Sequence, residues 1–278
     1  MTAPPPSPRE PGREGRPGTG GAAGRYTPRP GAAPLPRMIA AQTALETRML
    51  LRHGEQLLLT IVIPALLLVV FSGADIIDGM NEGRGGRVDF MAPGVLALAV
   101  LSTAFTGQAI ATGYERRYGV LKRLGASPLP RWALMCGKTG AVLVVLLLQT
   151  ALLTVAALSL GWSPQGSPVA AAALMLLGTA ACSGLGLLMA GTLRAEATLA
   201  AANLVFVLLL VGGGVVIPLA DFPSGVRGAL ELLPLTALAE GLREVLREGA
   251  GMPWGNAGVL AAWAVPSLAA AARFFRWE

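Results

Sequence analysis

Residues 113–138, GYERRYGVLKRLGASPLPRWALMCGK, separate two long apolar stretches and gather six basic residues around a single acid, Glu115. The six are Arg116, Arg117, Lys122, Arg123, Arg131 and Lys138. Loops on the cytoplasmic side of membrane proteins carry such an excess of lysine and arginine. We therefore interpret this stretch as a cytoplasmic loop between two membrane-spanning helices.

The composition of the whole chain also indicates a membrane protein. Of its 278 residues, 53% are hydrophobic and 14% are charged, whereas soluble proteins average about 25% charged residues. A helix needs about 20 predominantly apolar residues to cross a bilayer core of about 30 Å. Soluble core helices rarely extend that far without a charge, so this pattern disfavours a large soluble enzyme.

Uncharged stretches predict six transmembrane helices and an all-α integral membrane fold. The tract 139–193 is too long for one span, and the sequence GWSPQGSP at 161–168 divides it. Its glycines and prolines predict a turn, and its tryptophan suits a membrane interface. The predicted spans are about 56–74, 91–113, 139–160, 169–192, 198–217 and 256–273.

The distribution of basic residues places both termini in the cytoplasm. Eight arginines precede the first span, six lysines and arginines follow the second, Arg194 follows the fourth, and two arginines follow the sixth. The segments 75–89 and 221–248 hold fewer arginines than acids and are assigned to the outside. The chain has two lysines and twenty arginines, which favours a GC-rich bacterial source and hence a plasma membrane.

Residues 1–37 differ in composition from the rest of the chain, with ten prolines and few large apolar side chains. Such a segment buries too little surface to offset chain entropy, so we predict a disordered cytoplasmic tail. It has no apolar core like that of a signal peptide. The transmembrane domain is assigned to residues 38–278.

The stretch Met38–His53 predicts a helix at the inner membrane surface. Apolar residues recur at helical spacing, while polar and charged residues take the other faces. A cytoplasmic extension of the first span is the alternative. His53 is the only histidine and has no metal-ligand companion, so we expect a solvated side chain.

No motif for catalysis or metal binding is found in this chain. Gly137, Lys138 and Thr139 resemble the end of a phosphate-binding loop, but the glycine required five positions before Gly137 is Trp132. The predicted spans contain no acid of the kind that ion-coupled carriers keep near the membrane midplane. Any transport must therefore draw its energy from elsewhere. Cys136 and Cys182 are expected to be free.

The basic loop also carries apolar residues at helical spacing. Tyr118, Leu121 and Leu124 would share one face of a short helix, which Gly125 can end. An amphipathic helix is suited to dock in a groove on a soluble partner. Simple positive-inside anchoring explains the charge without that face, and the residues alone leave both interpretations open.

The segment 115–128, ERRYGVLKRLGASP, resembles the loop between spans two and three in permease subunits of ABC-2 type export transporters, particularly the daunorubicin-resistance type. The six spans, the amino-terminal interfacial helix and Lys138 fit the same pattern. The resemblance implies that this loop is a coupling helix that docks on a separate ATPase subunit. The residues it nominates for docking are Glu115, Arg116, Arg117, Tyr118, Gly119, Leu121, Lys122, Arg123, Leu124 and Pro128.

The outer segment between spans five and six is similar to the same family. The resemblance rests on DFP at 221–223, LPLT at 233–236 and GLR at 241–243, and it implies short re-entrant helices at the outer face. It covers about residues 38–275 and excludes the tail.

The resemblance implies a permease without a catalytic site or a cofactor of its own. A separate ATP-binding cassette subunit would bind ATP and magnesium, and two identical or related permeases would pair in the bilayer. The cargo would be an amphipathic or hydrophobic drug, antibiotic or lipid-like molecule moved out of the cell. Candidate residues of its path are Phe71, Phe105, Gln108, Asn203 and Phe206.

Three other functions remain open from the sequence. A polysaccharide or glycolipid exporter could use the same scaffold, although spans one, two and five offer few aromatic side chains for stacking on sugars. A membrane anchor for a soluble partner would bind that partner without transport. A secondary carrier would depend on an ion gradient rather than on ATP.

Overall fold

A computed structural model describes residues 33–52, 54–73, 86–125, 130–215 and 218–275. Within these ranges the chain is helical and contains no strand. The predicted disordered tail lies almost wholly outside the described residues, as do His53 and Pro128.

Within the described residues, eleven α-helices are numbered in chain order. They are α1 (Leu35–Arg52), α2 (Gly54–Gly73), α3 (Arg87–Val100), α4 (Gln108–Arg117), α5 (Val120–Gly125), α6 (Arg131–Ser159), α7 (Pro168–Thr192), α8 (Ala195–Gly212), α9 (Ser224–Glu231), α10 (Pro234–Leu246) and α11 (Trp254–Phe274). A π-helical segment, Leu101–Gly107, joins α3 and α4, and a 3-10 turn, Leu219–Asp221, precedes α9.

Five of the described helices are long and apolar enough to cross a membrane. They are the joined helix Arg87–Arg117, then Trp132–Ser159, Pro168–Thr192, Ala195–Gly212 and Trp254–Phe274. The shorter apolar stretch Thr60–Val70 belongs to α2. The chain is therefore a multi-pass helical membrane protein. The sixth span and the cytoplasmic position of the termini stay predictions.

The joined helix α3–α4 lies at the centre of the bundle. Its residues 91–101 are all buried, and α2, α6, α7 and α10 pack around α3. By contrast, α6 and α8 expose long apolar side chains, such as Leu147 with 72% of its surface accessible. Because lipid tails are as apolar as leucine, this exposure suits a protein that uses the bilayer as its solvent.

Small residues in α7 let neighbouring helices approach closely. A Cβ atom on Gly186 would lie 2.8 Å from the backbone oxygen of Phe105. A larger side chain there would push α7 away from the π-helical segment. Close backbone approach is a common basis of helix packing in membranes.

Helix ends meet in two separate regions of the bundle. At the first, α5, the start of α6 and the ends of α7 and α11 share an apolar cluster that includes Leu121, Leu134, Leu187 and Phe275. At the other, the N–H of Gln165 donates to the backbone oxygen of Leu246 over 2.9 Å. The 31 residues of the joined helix separate the two regions by about 45 Å. We call the first region the basic end.

The helix predicted over Met38–His53 is present as α1, while its position at the membrane surface stays a prediction. Gln42 and Glu46 are buried, whereas Leu45 and Met49 are exposed. This arrangement is opposite to that of a helix on a soluble protein. It is expected where the outer side of the helix faces lipid.

Two short helices, α9 and α10, lie between α8 and α11, where the sequence predicted outer helices. One face of α10 is apolar and packs into the bundle, since Leu235, Leu238, Leu242 and Val245 are all buried. Whether the two helices are re-entrant in the membrane stays a prediction.

Arg243 fixes α10 to the rest of the bundle. Its side chain is 3% exposed, and its Nη1 atom lies 2.6 Å from Glu240 Oε1. It also donates to the backbone oxygens of Phe90 at 3.3 Å and Val215 at 3.0 Å, and its guanidinium lies 3.8 Å from the centre of the Phe90 ring. Burial lowers the pKa of this guanidinium against the opposing effect of Glu240. One side chain therefore links α10 to α3 and to the residues that follow α8.

We predict that Arg243→Leu lowers the free energy of unfolding by about 1–3 kcal/mol, since a buried carbonyl left without a donor costs about that much. Thermal unfolding of the purified chain in detergent measures the change. Arg273→Leu is the matched control, because Arg273 is exposed near the end of α11. Equal stability of the two variants would contradict the anchoring role of Arg243.

Candidate functional site

Three charged side chains from three helices form an ion cluster at the basic end. The Nζ atom of Lys138 in α6 lies 2.8 Å from Glu46 Oε1 in α1 and 2.5 Å from Glu115 Oε2 in α4. The Lys138 side chain is 4% exposed, and the two carboxylates are 10% and 16% exposed. We refer to Glu46, Glu115 and Lys138 as the ion cluster.

The close packing of α1 on α6 brings Glu46 to Lys138. A Cβ atom on Gly137 would lie 2.6 Å from Cγ of Gln42, so a larger residue would separate the helices at that point. Gln42 also donates from Nε2 to Glu46 Oε1 over 2.8 Å, one turn earlier on the same helix. The Glu46 carboxylate is therefore held by a neutral donor and by a cation.

Burial makes the ion cluster sensitive to the loss of any member. A buried ion pair adds little net stability, because desolvation offsets the attraction. Removing one partner leaves an uncompensated buried charge, which costs about 3–5 kcal/mol. The cluster therefore specifies how α1, α4 and α6 are arranged.

A glycine turn connects the ion cluster to the short helix α5. Helix α4 ends at Arg117, two residues after Glu115. Gly119 then has φ of +71°, a left-handed conformation that glycine adopts without strain. The predicted coupling helix is thus two pieces, the end of α4 and the helix α5, with a sharp turn between them. We call residues 115–125 the docking segment.

Two arginines tie the docking segment to the neighbouring helices. Arg116 donates to the backbone oxygens of Ala190 at 3.0 Å and Leu193 at 2.7 Å, at the carboxyl end of α7. Basic side chains near helix carboxyl ends satisfy carbonyls that lack an intrahelical partner. Arg117 forms an ion pair with Glu196 in the first turn of α8. Both basic residues therefore have contacts within the chain.

The apolar face predicted to dock on a partner is largely used inside the chain. Leu121 is completely buried and belongs to the apolar cluster at the basic end, and Leu124 packs against it. Tyr118 is 69% exposed, and Lys122 and Arg123 are exposed. The accessible surface of the docking segment is therefore basic and amphipathic, and its docking role stays a prediction.

A cavity of about 440 Å³ lies beside the ion cluster and is lined by residues of α1, α2, α4 and α6 and of the π-helical segment. The cluster forms part of its wall, and most of the remaining wall is apolar. We call this space the inner cavity. Its polar lining includes Thr60, Thr103, Gln108, Thr112 and Tyr114.

The structure does not bring the predicted path residues together. Gln108 lines the inner cavity, whereas Phe105 is buried beside α7. Asn203 is exposed on α8 and Phe206 is partly buried there. The side chain of Phe71 lies outside the described residues. A transport role for these five residues stays a prediction.

Some polar residues within the spans form interhelical hydrogen bonds. Thr103 Oγ1 donates to Gln149 Oε1 over 2.8 Å, and Gln149 Nε2 donates to the backbone oxygen of Thr60 over 2.5 Å. These bonds link α2, the π-helical segment and α6. They form part of the helix packing.

Glu46 was not predicted as a site residue from the sequence, and no ion-pair partner was predicted for Lys138. One signal was present, because Lys138 stands beside Gly137 and close to Gly140 at the edge of a long apolar tract. Small residues at helix interfaces allow close approach, so a charge between them requires a partner on the approaching helix. Periodicity within α1 could not show which helix that would be.

Comparison with known proteins identifies one family. A family model described as ABC-2 type transporter matches residues 41–246, which is more than half of the chain. No curated protein matches the sequence. The matched range contains all three members of the ion cluster and the whole docking segment.

We predict that Lys138→Met lowers the free energy of unfolding by about 3–5 kcal/mol, since it leaves two buried carboxylates without their cation. Lys122→Met is the matched control on exposed surface, where an ionic contact is worth about 1 kcal/mol or less. Unfolding of both purified variants in detergent gives the comparison. A Lys138→Met protein as stable as the control would show that the ion cluster does not hold the helices together.

Proposed function

The chain belongs to the ABC-2 type transporter family, and from this premise we propose that it is the membrane permease subunit of an ABC exporter. Membrane domains of this family work with ATP-binding subunits. The daunorubicin-resistance type, export as the direction of transport and a bacterial plasma membrane are parts of the proposal. They rest on the sequence resemblance.

The observation that carries the proposal is a small exposed surface on a firmly held segment. Tyr118, Lys122 and Arg123 are exposed, while the residues around them are bound to α6, α7 and α8. Such a surface offers positive charge and one aromatic ring to a soluble partner. We propose that the partner is a separate ATP-binding cassette subunit, which binds ATP and magnesium.

The ion cluster provides the mechanical connection in this proposal. Closure of the ATPase subunits on ATP would press on α5, and the turn at Gly119 would pass that movement to α4. Because separating the buried charges costs several kcal/mol, α1 and α6 would move together with α4. The spans would then alternate access for the cargo between the inner leaflet and the outside.

The cargo proposed is an amphipathic or hydrophobic molecule. The spans are apolar, and their polar groups are few and mostly neutral. A polysaccharide path would be expected to offer stacking aromatic side chains. By the same resemblance, two permeases would pair through α2 and α8. Helix α8 exposes an apolar face that includes Leu204, Leu208 and Val211.

The charge of the docking surface provides a direct test. We predict that Lys122→Glu combined with Arg123→Glu leaves the chain in the membrane but reduces both ATPase co-purification and cargo-stimulated ATP hydrolysis at least about tenfold. Like charges placed opposite each other at an interface cost several kcal/mol. Arg48→Glu is the control, because Arg48 is exposed on α1, outside the docking segment.

Co-purification from the native membrane, with mass spectrometry of what accompanies the tagged chain, identifies the partner. A soluble chain with a phosphate-binding loop, present in stoichiometric amount and lost in the charge-reversed variant, supports the proposal. A folded preparation that reproducibly lacks such a chain would contradict it. Flux that follows an ion gradient rather than ATP would instead establish a carrier.

A further inference from the structure

Gln108 is a buried polar side chain without a partner. It is 6% exposed, and neither its Nε2 nor its Oε1 atom makes a hydrogen bond to any described residue. A buried polar group left unpaired costs about 1–3 kcal/mol. Because a carboxamide both donates and accepts hydrogen bonds, this side chain leaves both functions unused. It lines the inner cavity.

Several polar groups near Gln108 are already engaged. Thr103 and Gln149 are hydrogen-bonded to each other, and Lys138 lies between two carboxylates. Neither contact requires a ligand. Among the described residues that line the cavity, Gln108 is the one whose fully buried polar atoms make no hydrogen bond.

The backbone around Gln108 is also unusual. The residue directly follows the π-helical segment Leu101–Gly107. Such segments are rare and are found frequently at functional sites. Their wider turn shifts the faces on which subsequent residues lie relative to an uninterrupted α-helix. In this chain the residue that follows the segment lies on the cavity wall.

The inner cavity has the size and composition of a small-molecule site. Its volume of about 440 Å³ is within the range of about 300–1,000 Å³ typical of ligand pockets. Such pockets combine a mostly apolar lining with a few placed polar groups. Here Leu50, Ile110, Val142 and Val145 contribute apolar wall around Gln108.

We propose that the inner cavity binds an uncharged amphipathic molecule whose polar group offers both a donor and an acceptor to Gln108, as an amide does. The apolar part of that molecule fills the rest of the cavity. An uncharged ligand is favoured because the unused group on the cavity wall is a neutral amide, and a further buried charge without a partner of opposite sign would be costly.

The site gives the proposed exporter a substrate class and a place of entry, and in that respect it rests on the proposed function. A ligand against the cavity wall would touch the surroundings of Glu115 and Lys138, the residues that connect α4 with α6. Occupancy could then be sensed at the docking segment. Cargo stimulation of the ATPase would follow from this contact.

Photolabelling of the full chain in lipid nanodiscs, without any ATPase, tests the site. The probe is dodecanamide with a diazirine in its chain, and peptide mass spectrometry locates the label. We expect label on residues that line the inner cavity. Unlabelled dodecanamide should compete about tenfold better than N,N-dimethyldodecanamide, which accepts a hydrogen bond but cannot donate one.

Two matched variants assign the effect to Gln108. Gln108→Leu should abolish the preference for dodecanamide over its dimethyl analogue. It should also unfold at the same temperature as the original chain or higher, because it removes an unpaired buried amide. Gln165→Leu is the control, since Gln165 is exposed in the turn between α6 and α7 and does not line the cavity. It should leave the preference unchanged.

Several results would overturn the inference. Label that avoids the inner cavity, or equal competition by the two amides, would mean that water or lipid occupies this space. Loss of labelling in Gln165→Leu but not in Gln108→Leu would place the site outside the inner cavity. Because the assay contains no ATPase, these failures leave the proposed function standing. Failure to co-purify an ATPase likewise leaves the labelling result intact.

Discussion

The arrangement of the basic end depends on a lysine that is buried between two carboxylates in mostly apolar surroundings. Lys138 cannot keep its charge there without Glu46 and Glu115, which come from helices on either side of it. The position of α1 on α6 and the end of α4 follow from this requirement. The glycine turn and α5 begin within five residues of Glu115. The same interaction therefore also sets the position of the docking segment.

The bilayer explains why polar and apolar surfaces are distributed as they are. Many outward positions on α1, α6 and α8 are apolar, as at Leu45, Leu147 and Leu204, whereas Gln42 and Glu46 are buried. Of the basic residues in the loop, Arg116 and Arg117 satisfy groups at the ends of α7 and α8. The basic loop therefore serves two purposes. Some of its charged side chains bind groups at the ends of neighbouring helices, and others face the side that the sequence predicts to be cytoplasmic.

Much of the fold was predictable because the thickness of the bilayer dictates the length of an uncharged helix. Helices lie at each of the predicted spans two to six, although α6 begins eight residues before the predicted start and α8 ends five residues before the predicted end. Sequence periodicity shows which residues share a face, but it does not show what covers that face. For this reason Leu121 was interpreted as a docking residue although the chain itself buries it.

Glu46, one of the two partners of Lys138, is 92 residues away in sequence, and only the packing of α1 on α6 identifies it. The candidate path residues were predicted from their residue type alone, and in the structure they lie in several separate parts of the bundle.

The central claim is that α1 and α6 move as one body when the ATPase acts on the docking segment. A disulfide between Thr43→Cys and Gly140→Cys tests it, because a Cβ atom on Gly140 would lie 3.7 Å from the Cβ atom of Thr43, close to the spacing of about 3.8 Å in disulfides. The measurement is cargo-stimulated ATP hydrolysis by the assembled complex before and after oxidation. We expect the oxidised complex to keep its stimulation. Stimulation lost on oxidation and restored by reductant would show that the two helices slide past each other, which contradicts the claim.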